Sequence, residues 1–113
     1  MLFSESLKKY GDFQRVYKRG RSYANKYLIM YVLKQDVQEN RIGISVSKKV
    51  GNSVKRNRAR RLMKESYRQL SSGLPQGGYD FIIIARNTIS GKKCADVEKS
   101  LRSAFRRTGV MEK

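Results

Sequence analysis

Three kinds of side chain in this 113-residue chain could do chemistry on a partner: a dense block of cations, a set of aromatic rings, and nine scattered carboxylates. Between Arg41 and Arg68 stand ten cations (Arg41, Lys48, Lys49, Lys55, Arg56, Arg58, Arg60, Arg61, Lys64 and Arg68) against one carboxylate, Glu65, a net charge of +9 in 28 residues. The segment from Ser22 to Asn40 holds two cations and two carboxylates and is neutral. Charge localised in this way marks a binding face. Gly51 and Asn52 suit a sharp turn, the helix start that follows offers unpaired backbone N–H groups to an anion, and arginine adds forked donors that match phosphate. The chemistry indicated is phosphate binding on a nucleic acid, and its candidate residues are Lys48, Lys49, Lys55, Arg56, Asn57, Arg58, Arg60, Arg61, Lys64 and Arg68. The whole chain carries 26 Lys or Arg against 9 Asp or Glu, a net +17 that opposes compaction until an anionic partner neutralises it.

The rings form a second candidate. Tyr10, Phe13 and Tyr17 recur at helical spacing, Tyr27 and Tyr31 follow on a strand, and Lys18, Arg19 and Lys26 are interleaved with them. Rings among cations grip single strands, the rings by stacking on bases and the cations by holding phosphates. The same spacing also describes an amphipathic helix packed on a sheet, and on pattern alone that core reading is the stronger.

The carboxylates suggest no catalysis. Asp12, Asp36, Asp80 and Asp96 are scattered, and Asp12 and Asp96 fit helix N-termini. The chain has no histidine and one cysteine, Cys94, so zinc-ligand spacings, an internal disulfide and imidazole-based catalysis are all excluded. No run approaches the roughly 20 apolar residues of a membrane span, and the first residues lack the apolar stretch of a secretory signal. The expectation is a soluble, cytoplasmic protein without a membrane or protein partner.

The elements that must position these groups can be read from periodicity. Tyr10, Phe13, Val16 and Tyr17 predict a first helix opened by Gly11 or Asp12 and stopped at Gly20. Tyr27–Leu33 predicts a strand with Tyr27, Ile29, Tyr31 and Leu33 on one face. Arg41–Ser47 alternates as a second strand, and the loop from Lys34 to Asn40 suits an antiparallel hairpin between the two. From Ser53, expected as N-cap, Ala59, Leu62, Met63, Ser66, Tyr67 and Leu70 mark the buried side of a helix whose other side carries Asn57, Arg60, Arg61, Lys64 and Arg68. Tyr79–Ala85 reads as a strand buried on both faces, and Val97, Leu101, Ala104 and Phe105 as a last helix ending near Gly109. The predicted order is α-β-β-α-β-α, with room for a short strand near Ser22, in one domain over residues 1–113 whose ends fray near 1–6 and 110–113. A strand leading straight into the basic helix argues for RNA over duplex DNA, which helix-turn-helix readers engage with a second supporting helix.

Leu7-Lys8-Lys9, Asp12-Phe13, Val16-Tyr17-Lys18 and Gly20, then Arg41-Ile42-Gly43, Val46-Ser47-Lys48-Lys49, Gly51-Asn52 and Arg56-Asn57-Arg58-Ala59-Arg60-Arg61 together resemble the protein component of bacterial ribonuclease P. The match runs over most of the chain, with Tyr17 where a Phe is common and Lys64 where Arg is frequent. The resemblance implies an α+β fold: a single-domain α-β sandwich with one mixed sheet and a left-handed β-α-β crossover, the ribosomal-protein-S5-domain-2-like arrangement. It implies that an RNA subunit hydrolyses the phosphodiester with Mg²⁺ while the protein, holding no tightly bound cofactor, binds that catalytic RNA. It also implies that the protein binds the single-stranded 5′ leader of precursor tRNA, in a cleft to which Phe13, Tyr17, Lys18 and Tyr31 correspond. That resemblance turns the aromatic stripe towards the binding reading. The alternative is a small ribosomal or ribosome-associated RNA-binding protein, which shares the charge but has no cleft for a single strand.

Overall fold

The structure, a computed structural model, describes residues 5–6, 10–35, 38–75 and 77–111. Its elements are β1 (Glu5–Ser6), α1 (Tyr10–Arg19), β2 (Arg21–Ala24), β3 (Leu28–Lys34), β4 (Arg41–Val46), α2 (Ser53–Leu70), β5 (Tyr79–Ala85) and α3 (Cys94–Arg107), with short 3-10 turns at Lys48–Val50, Ser71–Gly73 and Asn87–Ile89. The strands form one mixed sheet in the order β1-β4-β5-β3-β2.

The hairpin expected between Tyr27–Leu33 and Arg41–Ser47 is absent. β3 and β4 do run in opposite directions, but β5 lies between them, antiparallel to β3 and parallel to β4. The most apolar strand takes the centre because only there are both of its faces covered, and its Asp80, Phe81, Ile82 and Ile83 are buried. The β4-α2-β5 connection is thus a parallel crossover through the basic helix. The expected short strand near Ser22 is present as β2.

One sheet face is thickly covered. Leu28, Met30 and Val32 of β3, Phe81, Ile83 and Ala85 of β5 and Val46 of β4 pack against Ala59, Met63, Tyr67 and Leu70 of α2 and Val97, Leu101, Ala104 and Phe105 of α3. Tyr67, Phe81 and Phe105 meet as a ring cluster with centroids 5.2 to 6.2 Å apart. The helical stripes read from periodicity are the buried ones, with Leu62 half-buried at the margin. Asn52, not Ser53, caps α2: its side chain accepts the Lys55 N–H at 3.0 Å, leaving Ser53 as the first helical residue.

Among the described residues, the other face carries only α1. Cross-strand pairing sets its side chains in three rows: Arg41, Asp80 and Leu33; then Gly43, Ile82, Tyr31 and Ser22; then Ser45, Ile84, Ile29 and Ala24. Val16 and Ile82 are its fully buried pair, with Phe13, Tyr31, Leu33 and Ile84 packed around them. Tyr27 does not join this face as expected; it precedes β3 and packs against the opposite core. A Cβ at Gly20 would lie 2.6 Å from the Val16 carbonyl oxygen and 2.8 Å from that of Val32, so only glycine lets the chain turn from α1 into β2 this close to β3.

The first row holds a buried ion pair. Arg41 Nε and Nη2 donate to Asp80 Oδ1 and Oδ2 at 2.7 and 2.6 Å, Gln35 Nε2 donates to the same Oδ2 at 3.2 Å, and Arg41 Nη1 reaches Asp12 Oδ2 on α1 at 3.4 Å. Fraying was expected near 1–6 and 110–113. Within the described residues, Glu5 and Ser6 pair with Arg41 and Ile42, and Val110 is buried with its N–H on the Phe105 carbonyl, while 1–4 and 112–113 lie outside them. Asp80→Ala is expected to cost about 3 to 5 kcal/mol, because it leaves the Arg41 guanidinium without its buried partner. Urea unfolding followed by circular dichroism measures it, and a loss under about 1 kcal/mol would show that the pair does not hold the sheet.

Candidate nucleic-acid interface

The basic surface begins where β4 ends. Ser47 accepts the Lys49 N–H at 3.3 Å and so turns the chain into Lys48–Val50, and Gly51, at φ 148°, carries it into the Asn52 cap. A Cβ on Gly51 would press to 2.6 Å from the Lys55 side chain. Lys48, Lys49, Lys55, Asn57, Arg60, Arg61, Lys64 and Arg68 are exposed, and Arg56 and Arg58 are half-buried.

These groups are not equivalent. Arg58 Nη2 donates to the Lys92 carbonyl at 2.7 Å, which ties α2 to the loop before α3. Arg68 grips Glu65 with Nε and Nη2 at 3.1 and 2.7 Å, and this hydrogen bond is the main reason the Glu65 carboxyl lies below the usual carboxylate range. Arg60 leans on Asn57 Oδ1 at 3.1 Å. Lys48, Lys49, Lys55, Arg56, Arg60, Arg61 and Lys64 form no ion pair among the described residues and donate no side-chain hydrogen bond to another element, so they are the cations left for phosphates. Arg41, counted with this block by sequence, is instead the clasp to Asp80 on the opposite sheet face.

Phe13, Tyr17 and Tyr31 do come together. Tyr17 meets Tyr31 edge-on with centroids 5.0 Å apart and stands 6.5 Å from Phe13. Tyr17 remains 37% exposed, and its phenol is held above the ordinary tyrosine range, first by burial and then by the neighbouring Tyr31, so it is neutral and free to stack at physiological pH. Beyond the rings, Ile84, Ile29 and Ser45 continue the floor, half-buried, towards the strand ends where Lys48 and Lys49 follow. Lys18 is exposed on the outer flank of α1, about 100° round the helix from Tyr17, and Tyr10 is 78% exposed at its start. The floor residues were missed in sequence because their period-2 pattern says only that they are strand, not which face stays uncovered.

The carboxylates and the thiol in which the sequence suggests no catalysis have partners of their own. Asp12 and Asp80 are both engaged by Arg41, Asp96 accepts the Lys93 N–H at 3.1 Å, and Cys94 lies 3.7 Å from Ser66 Oγ at the start of α3. The described residues hold no group of three or more His, Cys, Asp or Glu that could bind a metal ion, and no helix long and apolar enough to cross a membrane.

A basic helix over one sheet face and a ring-lined cleft on the other define a small α+β RNA-binding protein. The ribonuclease P family model matches residues 1–109. The ribonuclease P protein component of Clostridioides difficile is 46% identical over 107 residues, covering 95% of this chain and 94% of that protein, and the one from Lachnoclostridium phytofermentans is 52% identical over 98 residues, covering 87% and 84%. The RNase P protein of Staphylococcus aureus superposes with a TM-score of 0.85 at 33% identity, covering 97% of this chain and all of the other, and that of Thermotoga maritima with 0.77 at 28%, covering 88% and 93%. The chain belongs to the family of ribonuclease P protein components, and it is the protein subunit of that ribonucleoprotein, not a ribosomal protein.

The exposure of the cleft rings has a direct test. Tyr67→Ala, inside the core ring cluster, is expected to cost about 3 to 5 kcal/mol, and Tyr17→Ala less than half of that. Equal losses in urea unfolding would return Tyr17 to the core.

Proposed function

We propose that this subunit binds the catalytic RNA of ribonuclease P through Lys48, Lys49 and the basic arc of α2, and receives the single-stranded 5′ leader of precursor tRNA in the cleft of Phe13, Tyr17 and Tyr31. One observation carries the reading: the two candidate surfaces lie on opposite faces of one sheet and meet at the strand ends near Lys48 and Lys49, so the protein can hold two RNAs at once. Arginine forks and exposed lysines suit the phosphates of a folded RNA. Rings standing edge-on beside a half-buried apolar floor suit unpaired bases, which any base can satisfy through its π-face. Lys18, on the solvent flank of α1, reaches a leader phosphate only where the strand passes over the helix.

Hydrolysis belongs to the RNA in this reading. Asp12 and Asp80, the carboxylates on the cleft face among the described residues, are held by Arg41, and those residues hold no group of three or more His, Cys, Asp or Glu for Mg²⁺. The metal is then bound by the RNA subunit, and the protein contributes positioning and charge neutralisation. Its work is in the cytoplasm, where precursor tRNA is made.

RNA-free protein with Mg²⁺ is expected to leave precursor tRNA intact, and addition of the cognate RNA to start turnover; metal-dependent cleavage by the protein alone would defeat the reading. In the assembled enzyme, Phe13→Ala, Tyr17→Ala and Tyr31→Ala are each expected to weaken precursor tRNA binding by roughly fivefold to a hundredfold, the equivalent of about 1 to 3 kcal/mol per stacked base, with mature tRNA affinity unchanged. Equal losses for both tRNAs would remove the leader from the cleft.

A further inference from the structure

A third surface lies outside both of those faces. On α3, Lys99, Arg102 and Arg106 lie together at 100° per residue, opposite the buried Val97, Leu101, Ala104 and Phe105. With Ser103 and Arg107 they line a shallow groove of about 460 Å³, and Lys99 and Ser103 are shared with a second of about 340 Å³ that runs on to Asn25, Lys26 and Tyr27. The ammonium groups of Lys26 and Lys92 flank the Tyr27 ring at 5.6 and 5.5 Å, and the Arg107 guanidinium lies 6.0 Å from the Tyr23 ring. Two carboxylates are near: Glu98 pairs with Arg102 at 2.9 Å, and Asp96, which lines the second groove, is occupied by the Lys93 N–H. Lys26, Lys92, Lys99, Arg106 and Arg107 keep no carboxylate partner among the described residues.

Along the helix pair this surface is set off from the α2 arc, and the two adjoin only at the loop before α3, where Arg58 donates to the Lys92 carbonyl. Ser66 and Cys94 mark the flanks by which α2 and α3 touch, and Glu65 and Glu98 stand, by helical position, between those flanks and the two cationic arcs. Each of these carboxylates is paired within its own helix, Glu65 with Arg68 and Glu98 with Arg102. Ser100 and Ser103 also line the second groove, the Ser100 hydroxyl donating to Asn25 Oδ1. A membrane surface fits poorly, since the large exposed apolar residues are Tyr10, Tyr17 and Val54, none of them here, and interfacial binding needs apolar anchors beside the charge.

We infer that the ridge of Lys99, Arg102 and Arg106, extended by Lys26, is a second RNA-phosphate surface that holds a stretch of the ribonuclease P RNA other than the one on α2. The inference rests on the proposed function, and salt dependence separates the two. Affinity of the full chain for its cognate catalytic RNA is measured against salt for three proteins: the unaltered chain, Lys99→Ala/Arg102→Ala/Arg106→Ala, and Arg60→Ala/Arg61→Ala/Lys64→Ala. Each lost phosphate contact removes about 0.7 to 0.9 from the log-log slope, so the α3 variant is expected to lose roughly 2 to 2.7, and a charge-keeping Lys99→Arg/Arg102→Lys/Arg106→Lys to lose nothing. Circular dichroism checks the fold; should loss of the Glu98 pair unfold the triple variant, Lys99→Ala/Arg106→Ala is used, with an expected loss of about 1.4 to 1.8. A wild-type slope in the α3 variant beside a reduced slope in the α2 variant overturns this inference and leaves the proposed function standing. Wild-type slopes in both overturn the two together. An unchanged RNA slope with α3-dependent binding to phosphatidylserine vesicles would assign the ridge to a membrane instead.

Discussion

Arg41 ties β4, β5 and α1 together at a single buried point. Its guanidinium joins β4 to Asp80 on the central strand by two short hydrogen bonds and to Asp12 on α1 by a third contact. Asp80 is fully buried, and its charge is tolerable there only because a bidentate partner and Gln35 satisfy it. Such a pair need not raise net stability over an apolar equivalent. What it fixes is register: a slip of one residue along β4 or β5 would strand a charge beneath α1. With register set, Gly43, Ile82 and Tyr31 fall in one row and Ser45, Ile84 and Ile29 in the next, which is the floor that the cleft requires.

The unequal covering of the sheet follows from helix number. Two helices shield one face and a single ten-residue helix shields the other, so apolar floor remains half-open beside α1. In most small proteins such a surface would be an association hazard. Here the net charge of +17 opposes self-association while drawing polyanions in, and the same imbalance that burdens the free fold favours its complex.

The sequence revealed the helices almost completely because their burial obeys one period: every residue of the α2 and α3 stripes is buried or, for Leu62, half-buried. The cationic arc of α2 was legible for the same reason. Strand order was not, since period-2 alternation carries no information about neighbours, and a loop short enough for a hairpin is also long enough to step over one intervening strand. Tyr27 was misplaced because alternation was extended one residue past the strand start, where Asn25 Oδ1 accepts the Tyr27 and Leu28 N–H groups and turns the chain. The Arg41–Asp80 pair was hidden by its separation of 39 residues and by the cations around Arg41, which made it look like one more phosphate ligand. The grouping of Phe13 and Tyr17 with Tyr31 entered through family resemblance, and the α3 ridge through neither route, because its cations are diluted by Asp96 and Glu98 in sequence and separated from them only in space.

The central place of β5 has a kinetic consequence. β3 and β4 leave the ribosome early but have no strand in common until Tyr79–Ala85 follows them, so the sheet can zip up locally only as the β2–β3 hairpin and cannot grow outward from it to β4. Closure must bring together segments about half the chain apart, which puts the loop-closure cost ahead of the reward and slows folding relative to a protein built from local pairs. During that interval the basic segment of α2 has already been synthesised, with good helix formers and its own Asn52 cap. A nascent chain of this kind presents its phosphate-binding helix to RNA before its sheet exists, and assembly with RNA can begin while the fold is still being made.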